Sequence, residues 1–237
     1  MRRIAVLLFA LVGVALLAGG AFKAHLNSKQ TIQDPAEKPG TIKEMARRAR
    51  SMGQQQVVVP GLIIDYGGSN IKLDEALAAY QVVIAEAIDE RPVFDGESNI
   101  MTWYKFKPLE ELSQNKTVCS SCSTVARPPS ELLPLKEGEF VLPRHGGSIN
   151  IEGVQVTVQE GGKFPAFERG AKYLLILSAD PSGAPTIPLG PNGIFRVTAD
   201  GTLKPINNQE HPVKQEMQER FANSIGKLRS HLRNKVD

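Results

Sequence analysis

The sequence predicts a mainly β fold of the α+β class, framed by helices at both ends, and three observations lead there. Short runs rich in β-branched and apolar residues recur through residues 54–206, separated by glycine, proline and Asp-Gly turn signals. One of these runs, residues 172–177 (KYLLIL), is apolar after its first residue, as a strand buried on both faces should be. Near the end of the chain, Val213, Met217, Phe221, Ile225, Leu228 and Leu232 fall at spacings of 4, 4, 4, 3 and 4. Those spacings mark an amphipathic C-terminal helix within residues 207–237, whose stripe must bury against the strands.

Taken in order, the chain begins with Met1-Arg2-Arg3 and then runs through 19 residues, Ile4 to Phe22, without a charge. A basic start, an apolar core and the small residues Ala18-Gly19-Gly20-Ala21 make residues 1–22 a signal peptide or a membrane anchor. The run nearly spans a hydrocarbon layer of roughly 30 Å, so both forms fit, with Arg2 and Arg3 on the inner side. Either way the rest of the chain is expected outside: periplasmic, on the cell surface or secreted. No cysteine follows the run, which excludes a lipoprotein anchor. Residues 23–53 read as a polar linker and then a short basic helix, opened by the capping box Thr41/Glu44 and ended by Gly53.

Residues 54–206 hold the strands. Short β-rich runs are expected at 57–60 and 62–64, and a helix of good formers at 73–80. A strand follows at 81–88, interrupted by Pro92 and the Asp95-Gly96 turn. Residues 99–109 alternate, with Met101, Trp103 or Tyr104, and Phe106 as candidates for buried faces. A polar insertion at 113–138 carries both cysteines and Pro128, Pro129 and Pro134. Strands resume at 140–142, and 148–158 alternates as a hairpin bent near Gly153. Residues 193–198 and 202–206 flank Asp200-Gly201, a hairpin signal, and Pro205 confines the second of them to a sheet edge. His211-Pro212 opens the last helix with proline in its first turn.

Composition narrows the function classes less than it narrows the fold. Hydrophobic residues make up 41% and charged residues 22%, a globular balance. A net charge of +3 is too small to argue for nucleic acid. The basic residues do cluster, however: Lys43, Arg47, Arg48 and Arg50 near one end, and Lys227, Arg229 and Arg233 near the other. Either group suits an anionic surface such as lipid head groups or cell-wall polymer, or is simply a solvated helix face.

Cys119-Ser120-Ser121-Cys122 has three readings. In an oxidising compartment the pair forms a structural disulfide that pins the insertion. A redox pair needs its first cysteine at a helix N-terminus, and Pro128-Pro129 prevent a long helix here. A metal knuckle needs two more ligands, and His25, His145, His211 and His231 stand in no paired spacing. No cofactor and no metal are expected. Arg144-His145-Gly146-Gly147 marks a tight bend or a place where backbone approaches a ligand closely. No G-x-S-x-G, H-E-x-x-H, phosphate-binding loop or dinucleotide fingerprint occurs, so no motif specifies a reaction.

The segments LDEALAAYQVVIAEAI and MTWYKFKPLEEL, the Gly146-Gly147 strand and FERGAKYLLIL, closed by GPNGIFRVTADGTLK, together resemble an exported bacterial domain of the Acidobacteria-like kind. Their order is similar to that of netrin/metalloproteinase-inhibitor barrels. The resemblance covers about residues 73–206 and implies a small OB-like/NTR-like β-barrel with a short internal helix and a packed C-terminal helix. Inhibitors of that kind act through an N-terminal cysteine. None lies near a mature N-terminus here, so that activity is not implied. The expectation for function is an exported, non-catalytic binding or cell-envelope structural domain, with an unknown protein or envelope component as partner. Its rivals are a thiol-redox or metal-dependent factor using Cys119/Cys122, and an anionic-surface binder acting through the basic helices.

Overall fold

Thr41 starts the first described helix, α1 (Ile42–Ser51), through a reciprocal cap. Its Oγ1 accepts the Glu44 amide at 3.3 Å, while Glu44 Oε2 accepts the Thr41 amide at 2.8 Å. The computed structural model describes residues 40–61, 70–96, 99–113, 133–159 and 164–234. The leader at 1–22, the linker at 23–39, the strand expected at 62–64, and both Cys119 and Cys122 lie outside the described residues, with most of the 113–138 insertion.

α1 buries Ile42, Ala46 and Ala49 against a three-stranded sheet in the order β1-β6-β5. Here β1 (Gln56–Pro60) runs parallel to β6 (Val154–Gln159), and β6 pairs antiparallel with β5 (Gly147–Ile151). The β5–β6 hairpin turns through Glu152 and Gly153, both at positive φ (51° and 88°), the geometry of a tight hairpin loop.

The larger sheet is antiparallel, in the order β10-β9-β7-β2-β3-β4. It comprises β2 (Gln81–Phe94), β3 (Ile100–Ser113), β4 (Phe140–His145), β7 (Lys172–Ala179), β9 (Ile194–Val197) and β10 (Leu203–Pro205). As predicted, β7 is central and β10 is an edge. Pro92, by contrast, does not interrupt β2. Strand β7 and the two residues before it bond β2 only as far as Ala87, and past that point the β2 ladder runs on its β3 side. A proline there forfeits no ladder bond on the open side.

Alternation sends Val82, Ile84, Leu174, Ile176, Phe195 and Leu203 to one face, where α2 (Leu73–Ala79), α3 (Pro212–Phe221) and α4 (Ile225–Arg233) cover them. The opposite face gathers Val83, Tyr104, Phe106, Leu142, Tyr173 and Leu175, closed by Phe164 and Phe167. Phe167 meets Tyr104, Phe106 and Tyr173 edge-on, each at 5.0 Å between ring centroids.

The predicted single C-terminal helix is two. Ala222 and Asn223 adopt the left-handed conformation (φ 49° and 53°), and Ser224 then caps a new helix by accepting the Lys227 amide. The reason lies in the spacing. At 3.6 residues per turn each four-residue step rotates the apolar stripe by about 40°, so three in succession turn it about 120° off the sheet. The break resets it, and all six stripe residues are buried.

No hydrogen-bonded ladder closes the larger sheet into a barrel among the described residues. Strand β4 nonetheless comes to lie beside β8 (Pro185–Thr186), a two-residue strand that pairs with the end of β7. Prolines stand on both sides of this seam: Pro143 in β4, Pro185 in β8. Neither can donate to a ladder, which leaves the seam open.

The chain passes from β4 to β5, and so from one sheet to the other, through Gly146 (φ 86°) and Gly147 (φ 140°). Thr102 Oγ1 donates to the Gly146 carbonyl at 2.7 Å, and a Cβ on Gly147 would overlap that same hydroxyl. The glycine pair therefore serves a bend with close backbone approach.

Candidate functional site

Next to Tyr104 in β3, Trp103 points to the opposite face, on the side of the sheet that the helices occupy but beyond their reach. Its cover there is Leu133 and Val141, with Val93 and Met101 at the margin. Between this group and the β8 turn lies a cavity of about 220 Å³. One wall is Trp103, Phe140, Val141 and Pro143; the other is Ala184, Pro185 and Thr186. Leu135, 45% exposed, forms part of the lip.

The polar groups at this cavity are engaged with the protein itself. Asp180, 1% exposed, accepts the Ser182 amide at 2.8 Å, the Ser182 hydroxyl at 2.6 Å and the Ala184 amide at 2.8 Å, all on Oδ1. This is the Asx-turn chemistry of Asp-Pro-Ser-Gly, and it shapes the β7–β8 turn. Thr186 Oγ1 lies 2.9 Å from Ser178 Oγ. Glu139 pairs with Lys105 at 3.5 Å, both side chains largely covered (8% and 13% exposed). Lys105 Nζ also donates to the Pro134 carbonyl at 3.0 Å. The Lys136 amide, donating at 2.8 Å, is the main reason the Glu139 carboxyl sits below its ordinary pKa, with Lys105 adding to the effect.

The other ionisable groups of interest are poised for structure more than for proton transfer. Burial pushes the Tyr104 phenol up to about 12, with the Glu90 carboxylate raising it further and Arg144 opposing. It therefore stays protonated at neutral pH. His145 is held below its ordinary pKa by burial, so the neutral ring is favoured, with Nδ1 3.5 Å from Asn99 Nδ2. Lys214, 8% exposed, sends its ammonium to the Asn207 side chain at 2.6 Å, to the Asn207 carbonyl at 3.4 Å and to the Gln209 carbonyl. It ties the 207–210 segment to α3. Among the described residues, no group of three His, Cys, Asp or Glu side chains is placed to hold a metal ion.

The basic residues singled out from the sequence stand on two helices, α1 and α4, whose buried faces pack into different apolar clusters. On α1, Lys43 lies over the Phe94 ring at 5.6 Å, Arg47 pairs with Glu152 at 3.3 Å, and Arg48 and Arg50 are exposed. On α4, Lys227 and Arg233 are exposed, while Arg229 forms a two-nitrogen pair with Glu110, Nε at 3.0 Å and Nη2 at 2.5 Å. Arg229 also borders a wider groove of about 750 Å³, where Lys172 and Lys204 are exposed and Arg196 pairs with Glu168 at 2.6 Å.

Sequence reasoning found Trp103 as a buried-face candidate but not the cavity. Its walls come from residues about 40 positions apart, and no local pattern in the sequence marks them as neighbours. No protein-family model matches this chain, and no curated protein matches it.

Proposed function

We propose that this chain is an exported, non-catalytic binding module of the cell envelope, with its ligand site at the seam between β4 and β8. The observation that carries the reading is the cavity around Trp103, bounded by β4 and β8, which no ladder joins among the described residues. Export rests on residues 1–22, acting as a cleaved signal or a retained anchor. The partner is an envelope component or another exported protein; nucleic acid is not expected, since the net charge is only +3.

The test is to isolate the protein from its own compartment and compare the small molecules it carries with those of an Ala184→Phe variant. A mass retained by the wild type and absent from the variant supports the reading. Identical extracts, together with a Cys119/Cys122 pair that cycles rapidly with a dithiol reductant, would move the function to the thiols.

A second reading, contact with an anionic surface, draws on α1, where Lys43, Arg48 and Arg50 are exposed around the buried strip of Ile42, Ala46 and Ala49. It is the weaker of the two, because Arg47 and Arg229 are already engaged by carboxylates. Reversing the charge of Lys43, Arg48 and Arg50 together should abolish binding to anionic vesicles if this reading is right.

A further inference from the structure

We infer that the seam cavity takes a small uncharged apolar molecule, a single aromatic ring with a short substituent or a branched aliphatic chain of similar bulk. The inference rests on the binding-module reading and deepens it. Two features define the class.

The first is the engagement of the polar side chains of Asp180, Thr186 and Glu139 at the site with the protein itself. Asp180 Oδ1 is occupied by three donors of its own turn, Thr186 by Ser178, and Glu139 by Lys105 and the Lys136 amide. Lys105 and Glu139 offset each other at the lip, and the Asp180 carboxylate is 1% exposed with its Oδ1 taken by its own turn, which leaves little charge for an entering ion to meet. A ligand that needs hydrogen bonds would have to break one already made, which costs the desolvation of both partners. What remains to contact is the Trp103 ring, Phe140, Val141, Pro143 and Ala184.

The second feature is size. Apolar cavities of about 150 Å³ stay dry and admit benzene. At about 220 Å³, this one has room for the ring and a substituent or two, but not for a lipid or a fused polycycle. A recess of this size suits a free small molecule better than a flat protein surface.

Trp103 is the only tryptophan in the chain, so its emission reports the cavity directly. The experiment titrates the purified protein with toluene, and separately with benzoate and benzylammonium, while following Trp103 fluorescence. Toluene is expected to saturate with a midpoint below about 1 mM, within reach of a ligand of this size. The two charged analogues should be at least tenfold weaker. Ala184→Phe, which fills the cavity, and Leu135→Glu, which places a charge on the exposed lip, should each raise the toluene midpoint at least tenfold. Leu135→Glu is at an exposed position and should leave the unfolding midpoint unchanged, so its loss of binding cannot be ascribed to misfolding. A charged analogue that binds as tightly as toluene overturns the inference while leaving a binding site in place. No saturable response to any of the three overturns both the inference and the seam as a ligand site.

Discussion

One side of the larger sheet is covered in two different ways, and the contrast separates what holds this protein together from what is free to recognise something else. Over β10, β9, β7 and β2, the helices α2, α3 and α4 form a continuous apolar layer, with Leu174, Ile176, Phe195, Met217 and Leu228 all at 0% exposure. Polar ties bind those helices to each other: Glu216 Oε2 accepts the Leu73 amide at 3.2 Å, and Arg220 reaches Asp74 at 2.8 Å and Glu216 at 3.5 Å. Over β3 and β4 on that side the described residues form a thinner cover, with Leu133, a Lys–Glu pair and a cavity. Beneath the helices close packing leaves no room for a ligand, the groove beside Arg229 opening at their margin, whereas among the described residues the second region is unfinished as a core.

The sharpest way to break this comparison is to truncate one residue in each half. Phe195→Ala removes a fully buried ring beneath the helices and should destabilise the protein by about 3–5 kcal/mol in urea denaturation. Leu135→Ser, at the lip of the cavity, should change stability by less than about 0.5 kcal/mol. If the two effects come out equal, the division into a stability half and a recognition half is wrong.

A smaller effect is expected at the helix ties. Lys72 stands at the N-cap of α2 but makes no side-chain cap, and Glu216 from α3 supplies the missing acceptor. Glu216→Ala leaves a half-buried Leu73 amide without that acceptor, while Arg220 keeps Asp74. The expected loss is about 1–2 kcal/mol, measured by the same denaturation. Toluene-induced quenching or enhancement at Trp103 should be unaffected, because the tie lies wholly in the other half.

Ala222→Gly should act in the opposite direction. Ala222 is exposed and left-handed at the break between α3 and α4, so glycine relieves backbone strain without removing a buried contact. Set against the greater freedom of glycine in the unfolded chain, the net gain should be about 0.5–1 kcal/mol, read as a higher urea midpoint.

The legible parts of this fold were the ones set by nearby residues. The Thr41/Glu44 box, the Asp200-Gly201 hairpin, the His211-Pro212 helix start and the apolar β7 all carry their signal within a few positions. The misread parts depend on partners far away. Whether Pro92 breaks a strand is decided by where β7 begins, at Lys172, 80 residues on. The helix break has no glycine or proline to announce it; only the excess of four-residue steps in the stripe carries it. The seam is harder still, since the cavity is produced by β4 and β8 approaching without pairing, a property of the whole sheet's curvature and of no local pattern.

The smallest effect concerns the hairpin on which that helix break rests. Ile225 donates its amide to the Gly201 carbonyl at 3.1 Å, and Leu203 donates to the Asn223 carbonyl at 2.6 Å, so the β9–β10 turn seats the junction of α3 and α4. Asp200 organises the turn by accepting from the Thr198 hydroxyl and from the Thr202 amide (3.2 Å) and hydroxyl (3.0 Å). Those bonds, the Thr198 hydroxyl first, lower its pKa to about 2 from an ordinary 3.8. A carboxyl depressed in the folded state binds fewer protons there than in the unfolded chain, so its contribution is fully present above about pH 4. It is lost as pH falls through about 2, where the folded carboxyl also protonates. The stability difference between wild type and Asp200→Asn should therefore be largest at neutral pH and shrink between pH about 4 and about 2, measured as the gap between their urea midpoints. A gap that stays constant across that window would mean the turn is held by its backbone alone, and that the helix-covered half owes nothing to this charge.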